Sequence, residues 1–509
     1  MSPSRRKRGR PKKHFRNRQQ SQNAGPSCST RHTDKTNRQD LEETISAQNR
    51  GHEETSMDTE DAATDFGWSS IIPVEILLRV FLLLAESEGA VPVLCRVSRV
   101  CRLWRQIASS KDLWRRVTVS RCWVIPDEKD PPRTRKRMMK AMETLIQQRL
   151  PRVSDFSLHK WKVESSVSFV LQNLSQSCPL LTSLTLSHCH QVTEKDLLTI
   201  GRCCPRLQNL NLQNSKVQFD AVQRFLEKYG ARIRRLSLSY TLHMNSIMAG
   251  ISRGWCPELR LLGVNVPMTA KVMTFPLSIE GFQASCPKLE VLRFINVPWQ
   301  AKPEPELPAA ASGFPELKEL WLSKYVCTVT DDVCQKLLKG SRKLRVLVLH
   351  GCCKISPQAL SALPCTDVER LNLGMSCRDV VPAIVSGSHL LTSKWRHSLK
   401  ELDLKGQFYT EEDLAEAFLN LTRGGGGGNG TLRSLNLAGT RATPHAVRDV
   451  LLSCQALTHL DLSSCQHIPQ GLDRVYHGRG DIKGCLTDLT QSLQEIKEQT
   501  PDEELPPLN

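Results

Sequence analysis

From Val153 to Cys465 the apolar residues recur in one spacing, L-x-x-L-x-L, and polar residues fill the gaps. Clear copies start at Leu181 (with Leu184 and Leu186), Leu207 (Leu210, Leu212), Ile233 (Leu236, Leu238) and Leu259 (Leu262, Val264). Others start at Leu289, Leu317, Leu344, Val368, Leu399, Leu432 and Leu457, and Val153, Phe156 and Leu158 form a weaker first copy. The starts lie 24 to 33 residues apart. The last two apolar positions of each copy alternate as on a strand. The stretch that follows, such as 194–200 or 221–226, carries apolar residues at helical spacing. Each unit is therefore predicted to be one short strand and one returning helix. Neither buries its apolar face alone, so neighbouring units must stack into a continuous core. The longest intervals contain a Pro-rich insert (301–312) and a glycine tract (424–428), read as loops. Several units open on Cys-Pro: Cys178-Pro179, Cys204-Pro205, Cys256-Pro257 and Cys286-Pro287. Proline stops the preceding helix, and a small cysteine fits beneath the turn.

Upstream the period changes. Residues 72–81, IPVEILLRVF, predict a helix with Pro73 in its first turn. Ile72, Ile76, Leu77, Val80, Phe81 and Leu84 are assigned to one apolar stripe. Ser87–Gly89 should end that helix, and a second apolar cluster follows at Leu94, Val97, Val100, Cys101 and Trp104, then Asp112-Leu113-Trp114. A helical unit of about 45 residues has too small a core to be very stable alone.

A period of 20–29 residues marks leucine-rich repeats, and the block from Cys178 to Ile200 is similar to their cysteine-containing class. The string I-P-x-E-I-L, V-F, V-C-R-x-W, L-W resembles the F-box. The resemblance implies a small all-α F-box domain before an α/β leucine-rich repeat solenoid, in a receptor that docks the adaptor Skp1. Skp1 would connect it to cullin and RING subunits of a ubiquitin ligase. By position, Ile72, Pro73, Ile76 and Leu77 would face Skp1, helped by Leu94 and Val97, with Trp104, Leu113 and Trp114 as packing residues. The chain departs from the motif in its first residue, Ile for Leu, and in a longer stretch between the first two helices. Read from the residues alone, the alternative is an ordinary amphipathic helical cap on the solenoid. The expected divisions are a tail (1–65), the F-box (66–116), a linker and basic helix (117–150), repeats (151–468) and a C-terminal helix and tail (469–509).

In such repeats the leucines point inward and the residues between them line the concave sheet. Early strands would show Ser183, Thr185, Asn209 and Asn211, and late strands Glu401, Asp403, Lys405, Asn436, His459 and Asp461. The middle strands would show Leu261, Val291, Arg293, Ile295, Trp321, Val346 and Val348. An apolar stripe centred on a Trp has the character of a binding hot spot, so a protein substrate is expected there. The alternatives are that β-branched residues simply suit strands, or that the Pro-rich insert covers the stripe.

Charge adds a second layer. The 509 residues carry a net charge of +17, but residues 1–20 hold nine Lys or Arg and no acid, whereas 40–65 hold nine acids and one Arg. Residues 1–65 are too polar to offset their ordering entropy and are expected to be disordered. Arg8, Gly9, Arg10 and Pro11 resemble an AT-hook, which would lay arginine in the DNA minor groove. A basic tail is more often an import signal, which would give a nuclear or cytoplasmic protein with DNA contact as the alternative. The start of the chain lacks a signal-peptide stretch, and no run of 18 apolar residues marks a membrane span. The 19 cysteines are accordingly expected to be reduced. His188-Cys189-His190 lacks the spaced pairs of a zinc site. No motif calls for catalysis, a metal or a cofactor. A nuclear DNA-associated scaffold and a repeat-type enzyme regulator stand as the competing functions.

Overall fold

The structure is a computed structural model. It describes residues 72–499 apart from 121–130, 162–165, 219, 242, 267–272, 304–312, 324–328, 376–385 and 423–430. The basic and acidic tail, most of the Pro-rich insert and the glycine tract lie outside the described residues.

Three helices open the described chain: α1 (Val74–Glu88), α2 (Ala90–Val97) and α3 (Arg102–Ala108). The long stretch between the first two helices is itself helix, because α1 runs to Glu88. Gly89 alone separates α1 from α2, at φ 96°, a conformation that glycine adopts without a Cβ clash. Trp104 packs edge-on against Phe81 with ring centroids 5.1 Å apart, and Trp114 Nε1 donates to the Ala108 carbonyl at 2.8 Å. A further helix, α4 (Pro132–Arg149), leads into the repeats.

The strands in chain order are β1 (Arg116–Val119), β2 (Asp155–His159), β3 (Ser183–Ser187), β4 (Asn209–Asn211), β5 (Arg235–Ser239), β6 (Leu261–Asn265), β7 (Phe275–Leu277) and β8 (Val291–Ile295). They continue as β9 (Trp299–Ala301), β10 (Glu319–Ser323), β11 (Val346–Val348), β12 (Arg370–Asn372), β13 (Glu401–Asp403), β14 (Ser434–Asn436), β15 (His459–Asp461) and β16 (Val475–His477). All but β7 and β9 form one 14-stranded sheet. Its strands are parallel in chain order until β16, which pairs antiparallel with β15 and closes the sheet. The inner leucines stand in register from repeat to repeat, as Leu184, Leu210 and Leu236 do, and are buried.

The sheet is longer at both ends than the leucine spacing suggests. β1 straddles the expected boundary between F-box and linker and pairs with β2, and β16 lies beyond residue 468. One hydrophobic core runs from Leu77 to Leu489, so the three-helix unit shares the solenoid's core.

Two ladders hold successive repeats together. At the helix ends, Cys178 Sγ donates to the Leu150 carbonyl (3.2 Å), Cys204 to Cys178 (3.6 Å) and Cys286 to Cys256 (3.7 Å). Ser341 Oγ makes the same contact to Phe314 at 3.0 Å. Gly230 takes one rung without a side chain, because a Cβ there would lie 2.6 Å from the Trp255 carbonyl oxygen. At the strand exits, Cys189 donates to Leu158 at 3.4 Å and Cys465 to Leu437 at 3.0 Å.

Five of the short strands share a local cause. Asn211, Asn372, Asp403, Asn436 and Asp461 each accept, through Oδ1, the backbone N–H two residues onward at 2.9–3.0 Å. That side-chain bond bends the exit into a turn, and all five strands are three residues long. Strands with Ser, Thr, Gly, Arg or Trp at the same place, β2, β3, β5, β6, β8 and β10, run for five.

Candidate functional site

α1 is apolar nearly all round, VEILLRVFLLLAESE, so burial must divide it. One side carries Leu77 and Phe81 into the core, and the core also takes Leu94 from α2. A neighbouring side carries Ile76, Val80, Leu83 and Leu84, at i, i+4, i+7 and i+8, all exposed. Ile76 is 54% exposed and its neighbour Leu77 only 3%. The single stripe expected from the sequence is therefore two faces, and Leu77 and Leu94 do not reach the outer one. Pro73 is exposed beside it, while Ile72 and Val97 are half-buried. Val74 and Leu83 are exposed apolar residues that the pattern did not single out, and Val100, expected within the second apolar cluster, is exposed as well. Their signal was an excess of apolar residues over what one core-facing stripe requires.

A third side of α1, with Leu78, Leu82 and Ala85, walls a groove of about 620 Å³ against β1 and β2. Arg116, Thr118 and Asp155 form its other wall. Arg116 reaches Glu86 at 3.5 Å and ties the helical unit to the first strand. Burial pushes the Asp155 carboxyl up, against the pull of Ser183 and Arg116.

On the concave face the register brings the expected dock residues together. Leu261, Val291, Glu319 and Val346 form one row across β6, β8, β10 and β11, and Gly263, Arg293, Trp321 and Val348 the next. Ile295 lies beside Ser323 further along. Two features change the reading. Val348 is 5% exposed and belongs to the buried set, since it sits between the long side chain of Trp321 and Asn372 in the register. Glu319, absent from the sequence-based set, interrupts the apolar row between Val291 and Val346. Its Oε2 accepts from Arg293 at 2.7 Å and from Trp321 Nε1 at 3.2 Å. Its position directly before Leu320, matching Val291 before Leu292, could have identified it. Leu261, Val291, Arg293, Ile295, Trp321 and Val346 are half-buried, so the dock is a shallow floor with a polar clamp at its centre.

The late strands differ. Asp403, Asn436 and Asp461 are used as strand terminators. Burial raises the Asp403 pKa, opposed by the Lys405 N–H and His350. Arg370 and Glu401 pair at 2.5 Å. Among the described residues no group of three or more His, Cys, Asp or Glu is arranged to hold a metal, and no helix is long and apolar enough to cross a membrane.

Residues 70–120 match the F-box-like family model. The F-box-like unit thus comprises α1, α2, α3 and β1, and it is followed by the leucine-rich repeat solenoid. Among solved structures the chain is similar to one in the crystal structure of the Rad7 and Elc1 complex in yeast, at 18% identity over 78% of this chain and 83% of that one, with a TM-score of 0.40. It is also similar to an internalin (inlF) from Listeria monocytogenes, at 15% identity over 65% of this chain and 84% of that one, with a TM-score of 0.31.

Proposed function

We propose that the protein is the substrate-receptor subunit of a Skp1–cullin–F-box ubiquitin ligase. The observation that carries this is the solvent-facing apolar row Ile76, Val80, Leu83 and Leu84 on an F-box-like unit. An apolar helix face beside an already filled core suits a partner's groove. Skp1 takes that face, together with Pro73 and Val74, and through Skp1 the cullin and RING subunits follow. The receptor does no chemistry of its own. It holds a protein substrate on the concave floor around Trp321, Arg293 and Glu319, so that a recruited conjugating enzyme meets it at high effective concentration. The segment order, with Gly67-Trp68 before α1 and a helix after the last repeat, is similar to F-box and leucine-rich repeat protein six. The basic run at Arg8, Gly9, Arg10 and Pro11 serves nuclear import in this reading, and deletion of residues 1–18 should move a fluorescent fusion to the cytoplasm.

Co-expression with Skp1 tests the central claim. A stable complex is expected, and it should be lost in Ile76→Glu with Leu83→Glu while the receptor's melting temperature holds. Failure of the full chain to bind Skp1, or indifference to that pair, overturns the reading.

A further inference from the structure

Among the described residues, four arginines stand on strand positions that face the concave side: Arg116, Arg235, Arg293 and Arg370. Three of them have a carboxylate. Arg116 lies 3.5 Å from Glu86, Arg293 2.7 Å from Glu319 and Arg370 2.5 Å from Glu401. Arg235 is the exception. It is exposed at the start of β5, and among the described residues no carboxylate lies within ion-pair distance of it. Its neighbours in register are Asn209 on β4 and Leu261 on β6. Besides Arg235, the concave positions of β3 to β6 hold Ser, Thr, Asn, Gly and Leu, and no acid.

An accessible cation on a neutral floor attracts an anion, and the guanidinium fork takes a carboxylate through two parallel N–H bonds. Asn211, which pairs in register with Ser237, spends its Oδ1 on the Gln213 N–H and keeps its amide N–H groups to donate. Phosphoryl recognition uses clustered arginines, and this stretch of floor holds one, so the matching anion is a singly charged carboxylate. The site is continuous with the dock, because Leu261 is both the neighbour of Arg235 and the first apolar residue of that floor. The strand order β5-β6-β8-β10 puts Trp321 three strands away from Arg235 and two residues further along. That is ~14 Å across the sheet and ~7 Å along it, or ~16 Å on the diagonal. An extended peptide covers this distance in roughly five residues.

We propose that the substrate segment held on the concave floor carries an acidic residue that pairs with Arg235, about five residues from the apolar side chain that packs on Trp321. This rests on the receptor reading above and adds the class of sequence that the receptor takes.

Panning a phage-displayed library of random dodecapeptides against the full-length protein tests this. Asp or Glu should be enriched about five residues from an aromatic or aliphatic residue. Arg235→Gln should abolish the acid preference and keep the apolar one, and Arg235→Glu should replace the acid by Lys or Arg. A peptide selected on the parent should bind Arg235→Gln roughly tenfold more weakly. Changing its acid to the amide should cost the same factor on the parent and nothing further on the variant. Arg235 is exposed, so both variants should keep the parent's melting temperature. Skp1 co-purification is read separately. A parent that fails to bind Skp1 overturns the ligase reading, whatever peptides it selects. Intact Skp1 binding with no enriched acid position, or with an acid preference that survives Arg235→Gln, overturns this inference alone. Phosphoserine in place of the acid binding more than about tenfold tighter would overturn the carboxylate assignment.

Discussion

The Arg293 guanidinium lies over the Trp321 ring, 5.1 Å from its centroid. Glu319 Oε2 accepts from both side chains, so a carboxylate holds cation and indole in one arrangement. One ring face is occupied by arginine, and a rigid, oriented aromatic of this kind loses little entropy when a partner packs on it. Trp321→Ala should weaken substrate capture by roughly 30-fold, as for a hot spot of about 2 kcal/mol, with little change in melting temperature. Proximity labelling by the full receptor, with Skp1 binding intact, would read this. A labelling profile identical to that of the parent would remove Trp321 from the dock. Glu319→Gln should give a smaller loss, because it loosens the clamp and leaves the ring.

Ile76 and Leu77 are adjacent in sequence and opposite in consequence. Ile76→Glu should leave thermal stability nearly unchanged and abolish the Skp1 complex. Leu77→Ala should cost about 2–5 kcal/mol, the range for a leucine removed from a packed core. Denaturant titration alongside Skp1 pull-down separates the two effects. Equal destabilisation by both substitutions would contradict the division of α1 into two faces.

The third prediction concerns Asp413, which lies between repeats. It accepts from the Gly387 N–H at 2.8 Å, from the Ser388 N–H at 2.9 Å and from Ser388 Oγ, and its Oδ1 lies 2.7 Å from His389 Nδ1. It thereby caps the preceding repeat's helix, Ser388–Trp395. Burial alone would raise its pKa, but these hydrogen bonds together outweigh burial and lower it. Protonation therefore favours the unfolded chain. The stabilisation is complete above the unfolded value of ~4 and fades as pH falls through the still lower folded value. Asp413→Ala should cost about 1–3 kcal/mol for each buried donor left unpaired and should flatten the acid limb of the stability curve below about pH 4. An unaltered acid limb in the variant would contradict this assignment.

The cysteine rungs give a chemical readout. Burial pushes the Cys178 and Cys256 thiols up to about 12 and the Cys204 thiol up to about 11. Thiolate is the reactive form, so maleimide at pH 8 should modify exposed Cys353 early, and the rungs only after unfolding. Rapid modification of Cys204 in the native protein would show that the ladder opens.

The repeats were legible because one spacing served one purpose: every inner leucine points to the same core. α1 was not, because its apolar residues serve two neighbours, and periodicity cannot distinguish Ile76 from Leu77 when both sides of a helix are apolar. β1 escaped notice since Arg-Val-Thr-Val has no leucine and only four residues, and β16 because it pairs in the opposite sense. The polar character of the late strands was visible, but its meaning was local: Asp403 and Asp461 end strands by holding their own backbone. Glu319 was hidden by the expectation that a docking row is uniformly apolar.

The uninterrupted core from Leu77 to Leu489 has a mechanical consequence. With no break in that core among the described residues between α1 and β10, the bearing of Trp321 relative to Ile76 is set by the number of strands that separate them. Each strand advances the arc by ~4.8 Å and adds its own twist. In the adaptor reading the receptor then works like a fixed protractor, and adding or deleting one repeat before β10 would change which substrate lysines come within reach without altering either surface.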